Sequence, residues 1–328
     1  MADKIRWGIL GTGRIAGEFA TGLTSLDDAE LVAVGSRKQE TADAFGEKFL
    51  VPRRHPTYEA LAADEGVDAI YVATPHPYHK DSSILCLEAG RAVLCEKPFT
   101  INAAQAREVV EVARSEKRFL MEAMWTRFLP VICRLRELLA EGKIGEVHML
   151  YADFGFRAGV NPEGRLFNLG LGGGALLDVG VYPVSLSSMI FGGPKEVAGL
   201  ADLGETGVDE RSAYVLRHEG GELSVLSAAI RTSTPQCATI VGTEGRIALE
   251  APWWRGTTMT VYSGGDAEGE RIELPYDGNG YNCEAAEVGR CLREGRLESE
   301  VIPLDESISI METMDEIRAQ WGLTYPME

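Results

Sequence analysis

Residues 11–16 read Gly-Thr-Gly-Arg-Ile-Ala, a G-x-G-x-x-A turn formed by Gly11, Gly13 and Ala16. No other stretch restricts the fold as strongly. A short apolar run at 5–10 precedes it, and helically spaced residues follow at 15–23. The first glycine permits a tight strand-to-helix turn. The second lets backbone approach a pyrophosphate, and the small third residue lets the helix pack on the strand. The start of the helix then faces the anion. Gly11, Gly13, Arg14 and Ile15 are therefore the candidate phosphate-binding positions of a dinucleotide site.

The same alternation continues to about residue 122. Apolar runs at 31–35, 68–73, 92–95 and 119–122 read as buried strands. Stretches at 40–49, 80–89 and 102–115 have helical spacing. Short buried strands between amphipathic helices predict a doubly wound parallel sheet, a Rossmann domain over 1–122. The pattern then changes. A helix is expected over 130–142, followed by β-like segments at 146–156, 196–203, 213–217, 223–230, 236–241, 245–250 and 257–262, and by closing helices at 282–293 and 305–321. Successive strands separated by turns predict an α+β domain over 123–328 with a mostly antiparallel sheet that has one solvated face. The length of 328 residues suits two domains at about 150 residues each.

Charge narrows the partners. With 32 basic and 50 acidic residues the net charge is −18, a poor match for nucleic acid or an anionic membrane surface. No signal peptide is expected at the N-terminus. The most apolar stretch, 174–191, is interrupted by Asp178 and Pro183, so no membrane span is expected. Six cysteines, with no C-x-x-C pair and no metal-like spacing to histidine, read as reduced thiols of a cytoplasmic protein with no metal.

The cofactor is argued from the end of the second strand. An NAD site usually places Asp or Glu there to hold the ribose 2′-hydroxyl. This chain has Ser36-Arg37-Lys38. A guanidinium suits a phosphate and Ser36 adds a donor, so NADP is expected in preference to NAD. The competing reading of Arg37 is a solvated surface charge. Two loops end further strands where ligands of open α/β sheets bind. One is Thr74-Pro75-His76-Pro77-Tyr78-His79 and the other is Glu96-Lys97-Pro98. Thr74, Pro75, His76, His79, Glu96 and Lys97 thereby join the cofactor-site candidates.

In combination, G-x-G-x-x-A, T-P-x-x-x-H and E-K-P resemble the Gfo/Idh/MocA family of NAD(P)-dependent oxidoreductases. Residues 121–128 (MEAMWTRF) and 172–183 (GGGALLDVGVYP) are similar to its dimeric dihydrodiol dehydrogenase branch, which includes NADP-dependent D-xylose dehydrogenases. The resemblance implies a catalytic lysine in E-K-P, here Lys97. It also implies a second motif of Asp followed four residues later by His. Asp178 matches, whereas Tyr182 stands where many members have His, as in the dihydrodiol branch. A large, open, mostly antiparallel sheet in the second domain, assembled through its outer face into a homo-oligomer, is implied as well.

Alcohol oxidation needs a hydride acceptor and a base. Tyrosine has a pKa of about 10, and a nearby ammonium favours its phenolate. Lys97 and Tyr182 are accordingly the expected acid/base pair, with Asp178 orienting the substrate hydroxyl or Lys97. Each has a plainer reading: a surface lysine, a core tyrosine and a helix cap. His79, Trp125, Arg127, Phe154, Phe156 and Arg157 are candidate walls for a sugar or cyclic diol. The alternatives are an NAD-dependent glycoside hydrolase of the same family and a non-catalytic NADP- and sugar-binding regulator.

Overall fold

The computed structural model describes residues 4–265 and 267–328. Six parallel strands form the first sheet: β1 (Ile5–Leu10), β2 (Ala29–Gly35), β3 (Arg53–His55), β4 (Ala69–Val72), β5 (Ala92–Glu96) and β6 (Leu120–Ala123). Their order is β3-β2-β1-β4-β5-β6. Helices α1 (Arg14–Leu23), α2 (Gln39–Phe49), α3 (Tyr58–Ala62), α4 (His79–Glu88) and α5 (Ala103–Glu116) alternate with them. Every residue of β4 and β5 is buried, as a sheet covered on both faces requires. The strand order reverses direction between β1 and β4, which puts the ligand crevice of such a sheet beside the loops after these two strands. The expected Rossmann sheet is present. β3 and α3 were not expected, because Arg53-Arg54-His55 has no apolar period and pairs only at the sheet edge.

Helix α6 (Pro130–Ala140) starts with proline at its first position, where no amide partner is lost. Next come β7 (Val147–Gly155), α7 (Val181–Phe191), β8 (Glu196–Leu203), β9 (Asp209–Arg217), β10 (Leu223–Ala229), β11 (Ala238–Gly242), β12 (Gly245–Leu249), β13 (Thr258–Ser263) and β14 (Glu270–Glu273). They build an eight-stranded sheet, ordered β14-β13-β12-β11-β7-β10-β9-β8. Only β7 and β10 run parallel; the other neighbours are antiparallel. Along β9 the side chains alternate: Tyr214 and Leu216 are buried while Ala213 and Val215 are exposed. Helix α7 covers the inner face over β7 and β10. The apolar stretch Leu169–Phe191 is long enough to cross a membrane by composition, yet 83% of its window is buried inside the protein, as in a core helix.

The chain closes with α8 (Tyr281–Arg293) and α9 (Leu304–Ala319). It divides into two compact units, one of residues 1–100, 104–125 and 277–308, the other of 101–103, 126–276 and 309–328. The sequence reading draws one boundary at 122, whereas here the chain returns and α8 belongs with the Rossmann sheet. The reason is local: α8 packs on α1, with Asn279 Nδ2 donating to the Glu18 carbonyl at 2.8 Å and Arg293 pairing with Asp28 at 2.6 Å.

Candidate active site

The first unit carries the candidate phosphate turn. Gly11 has φ 106°, and a Cβ there would lie 2.8 Å from the Ala73 carbonyl oxygen, so only glycine lets the turn close against the end of β4. Gly13, the N-cap of α1, has an ordinary φ of −75°. A Cβ on it would meet nothing within 4 Å, so it faces open space. The start of α1 has no side-chain cap and no acid in its first turn, leaving its amides to meet an anion. Ala16 is fully buried, Ile15 is half-buried and Arg14 is exposed. The Thr74 hydroxyl, beside this turn at the end of β4, is buried without a hydrogen-bond partner among the described residues. These features fit a dinucleotide.

At the end of β2, Ser36 Oγ lies 2.6 Å from Thr41 Oγ1 and 3.4 Å from Thr12 Oγ1. Arg37 beside it is exposed. Burial raises the Tyr58 phenol, with the charge of Arg37 opposing. Three hydroxyls and one guanidinium thus share the tip of β2, and the sequence reading had found only Ser36 and Arg37.

His79 opens α4 and is buried. Its Nδ1 lies 2.8 Å from the Pro98 carbonyl and its Nε2 2.9 Å from the Thr74 carbonyl. Burial lowers its pKa to about 4, with the nearby Lys97 charge also lowering it. The ring therefore sits between the loop after β4 and the Glu96-Lys97-Pro98 segment, and as a neutral imidazole it donates to one of the two carbonyls. Lys97 is half-buried, and Pro75 and His76 lie in the same loop cluster. The His76 ring packs edge-on to His79 at 5.7 Å.

Behind Lys97 is a buried acid group. The fully buried Tyr71 hydroxyl donates to Glu96 Oε1, and the Tyr71 ring stacks on Phe19 at 3.8 Å. Glu284 of α8 is also fully buried; burial first, and then the Glu96 charge, holds its carboxyl well above the usual range. Burial and the same charge push Tyr71 up. Trp125, which follows β6, stacks on Tyr281 at 5.0 Å. Tyr281 and Glu284 escaped the sequence reading because α8 looked like a closing helix of the other domain.

The second unit carries Asp178 and Tyr182. Asp178 sits in a π-helical turn, Leu176–Gly180, and Tyr182 is the second residue of α7. Asp178 Oδ1 accepts from Arg165 Nη1 at 2.7 Å; the acid is buried and the arginine half exposed. Arg165 lies in a segment with no periodic signal. The Tyr182 ring meets Phe154 edge-on at 5.2 Å and Trp254 at 6.2 Å, while Phe154 and Trp254 stack at 4.5 Å. This aromatic corner joins Phe154, a candidate wall residue, to Trp254, which the sequence does not single out. Phe156 packs edge-on to Phe154 at 6.5 Å. Arg127 is buried with its guanidinium on the Ser185 hydroxyl and carbonyl, at 3.0 and 2.6 Å. Arg157 is exposed and pairs through its backbone with Arg231. Among the described residues no cluster of His, Cys, Asp and Glu is suited to a metal ion, and none of the six cysteines forms a disulfide.

Known proteins place these features in context. A family model described as an oxidoreductase family with an NAD-binding Rossmann fold matches residues 5–124, and the GFO/IDH/MocA C-terminal domain model matches residues 132–248. Trans-1,2-dihydrobenzene-1,2-diol dehydrogenase of Mus musculus is 41% identical over 338 residues, covering 99% of this chain and 99% of that protein. KijD10, a 3-ketoreductase from Actinomadura kijaniata solved with NADP and TDP-benzene, superposes with a TM-score of 0.85 at 25% identity, over 97% of this chain and 98% of that one. Aldose-aldose oxidoreductase from Caulobacter crescentus, solved with glycerol, shares the fold with a TM-score of 0.87 at 22% identity, over 97% and 98% of the two chains.

Proposed function

The chain belongs to the Gfo/Idh/MocA family of NAD(P)-binding oxidoreductases, and on that premise we propose that it is an NADP-preferring dehydrogenase. It moves a hydride between the nicotinamide and the CH–OH or C=O group of a trans-dihydrodiol, another cyclic polyol or a sugar. The full-length similarity to a dihydrodiol dehydrogenase carries the substrate class. The NADP preference rests on Arg37 and the hydroxyls of Ser36, Thr41 and Thr12 at the tip of β2. In this reading the first unit holds the cofactor and the second holds the substrate.

A bound nicotinamide would supply the hydride acceptor, or the donor in the reverse direction. The rest falls to this chain. Tyr182 takes the proton from the substrate hydroxyl oxygen, or returns it to the forming alkoxide. Lys97 is its partner, because an ammonium stabilises the phenolate and brings an acid of pKa about 10 toward neutral pH. Asp178 orients, since its charge is already matched by Arg165. Phe154 and Trp254 offer flat apolar faces to a ring substrate. His79 and Arg127 act by position, through the backbone groups they hold.

Homo-oligomer formation through the outer sheet face is part of the same proposal. Tyr151, Val225 and Val215 are neighbours in register on β7, β10 and β9, and all are exposed. Leu200 on β8 continues the patch and is 82% exposed, and contiguous exposed apolar patches mark interaction sites. Action in the cytoplasm is proposed from the six cysteines, none of which is in a disulfide.

The test is a panel of trans-dihydrodiols, aldoses and dicarbonyl sugars with NADP and NAD, followed by reduced-nicotinamide absorbance. Lys97→Met and Tyr182→Phe should each lower kcat by about 10²- to 10⁴-fold while NADPH still binds. Normal turnover in both variants, or glycoside cleavage without net cofactor reduction, would overturn the proposal.

A further inference from the structure

The glycine run ahead of α7 is explained by a residue far along the chain. Gly172 and Gly174 have φ of 67° and 118°. A Cβ on Gly174 would lie 2.2 Å from Asp209 Oδ1. A Cβ on Gly173 would lie 2.8, 2.9 and 3.0 Å from the carbonyls of Leu166, Arg165 and Asn168. The run stays bare so that the Asp209 carboxyl group, on the first residue of β9, can reach across it.

Asp209 Oδ2 accepts a hydrogen bond from the Leu176 amide at 2.8 Å. Leu176 begins the π-helical turn that contains Asp178 and leads into Tyr182. The last carbonyl of that turn, on Gly180, accepts from the Tyr214 hydroxyl at 3.2 Å. Asp209 and Tyr214 both belong to β9, so one strand holds the turn at both ends. From the C-terminal segment, the Tyr325 hydroxyl donates to the Gly173 carbonyl at 2.9 Å. Wide helical turns of this kind are uncommon and cluster at functional sites.

We propose that Asp209 is a positioning residue: through the Leu176 amide it sets the turn that presents Asp178 and Tyr182. The inference rests on the role given to Tyr182 above. Asp209 is fully buried, and burial pushes its pKa up to about 7, with the Leu176 amide opposing. The ionisable groups that face it are the phenols of Tyr214 and Tyr325, both pushed up by burial and then by the Asp209 charge. The nearby cations are engaged elsewhere. Arg318 of α9 lies over the Tyr325 ring at 5.5 Å and pairs with Asp315 and Glu328, while Arg165 pairs with Asp178 of the turn. Burial favours the neutral acid, against the pull of the amide donors. Ionisation leaves a poorly solvated charge beneath the turn, a cost that local opening of the turn relieves.

Asp209→Asn keeps the shape and an acceptor oxygen but cannot titrate. In the wild type, hydrogen-exchange protection of the amides from Leu176 to Tyr182 should fall about tenfold between about pH 6 and pH 8, and in Asp209→Asn it should stay level. The wild-type kcat profile should carry a descending limb near pH 7 that Asp209→Asn lacks, with the KM for NADP unchanged in both. Identical exchange and identical pH profiles in the two proteins would overturn the proposal. Should Asp209→Asn fail to fold, flat wild-type protection across that range overturns it alone. The exchange measurement needs neither substrate nor cofactor, so it separates this inference from the catalytic role of Tyr182.

Discussion

Replacing Gly13 by alanine separates cofactor binding from folding. Gly13 has φ −75° and ψ −177°, which alanine adopts freely, and its added methyl would meet nothing within 4 Å. Stability should therefore change by less than about 1 kcal/mol, since lost chain entropy in the unfolded state and the weaker N-cap preference of alanine oppose each other. The methyl would instead occupy the space through which a pyrophosphate approaches the α1 amides. Losing one charge-assisted hydrogen bond there costs about 1.5–3 kcal/mol, or about 10- to 150-fold in Kd. Gly11→Ala behaves differently. Its φ of 106° is unfavourable for alanine, and its methyl would lie 2.8 Å from the Ala73 carbonyl, which is backbone and yields little. Backbone strain and overpacking together should cost about 2–5 kcal/mol of stability, with weaker cofactor binding besides. Urea unfolding gives the stabilities, and quenching of protein fluorescence by NADPH gives the Kd values. Unchanged NADPH affinity in Gly13→Ala would refute the assignment of this turn to the cofactor phosphates. Wild-type stability in Gly11→Ala would refute the steric argument.

Arg37→Asp should raise the KM for NADP by about 10-fold or more and narrow its ratio to the KM for NAD; an unchanged ratio rejects the NADP reading. Val225→Lys, in the centre of the outer sheet face, should shift the protein toward monomer in sedimentation velocity, and an undiminished assembly would place the interface elsewhere. Asp209 also predicts a pH dependence of stability. Its pKa rises from 3.8 to about 7 on folding, so the folded state binds the proton more tightly. The stabilising contribution is full below about pH 4 and is lost as pH rises through about 7, a span of about 3 units or about 4 kcal/mol. Asp209→Asn should remove that decline from denaturant midpoints measured between these pH values; an equal decline in both proteins assigns it to other groups.

How much was legible depended on the distance between partners in the chain. Gly11, Gly13 and Ala16 lie within one turn, so their spacing alone carries the proposed phosphate loop. The buried runs of β4 and β5 showed by composition that helices must cover both faces. Ser36 and Arg37 were visible because they end a readable strand, but Thr41 and Tyr58 join them only once α2 and α3 fold back. β3 was missed since its polar residues carry no period. The short β14 was missed as well.

What the residues alone determined is therefore the local grammar: alternating strands and helices, then a run of strands, with a phosphate turn and two loops at strand ends. These follow from steric and apolar preferences that act over a few neighbouring positions. Tertiary structure alone decided the partners that come from afar. It brought Asp209 across the glycines at 172–174, Glu284 beside Glu96, and Trp254 against Phe154. Such pairings depend on which buried faces close over one another, and a glycine run or a lone buried carboxylate carries no local trace of the side chain that packing will set against it.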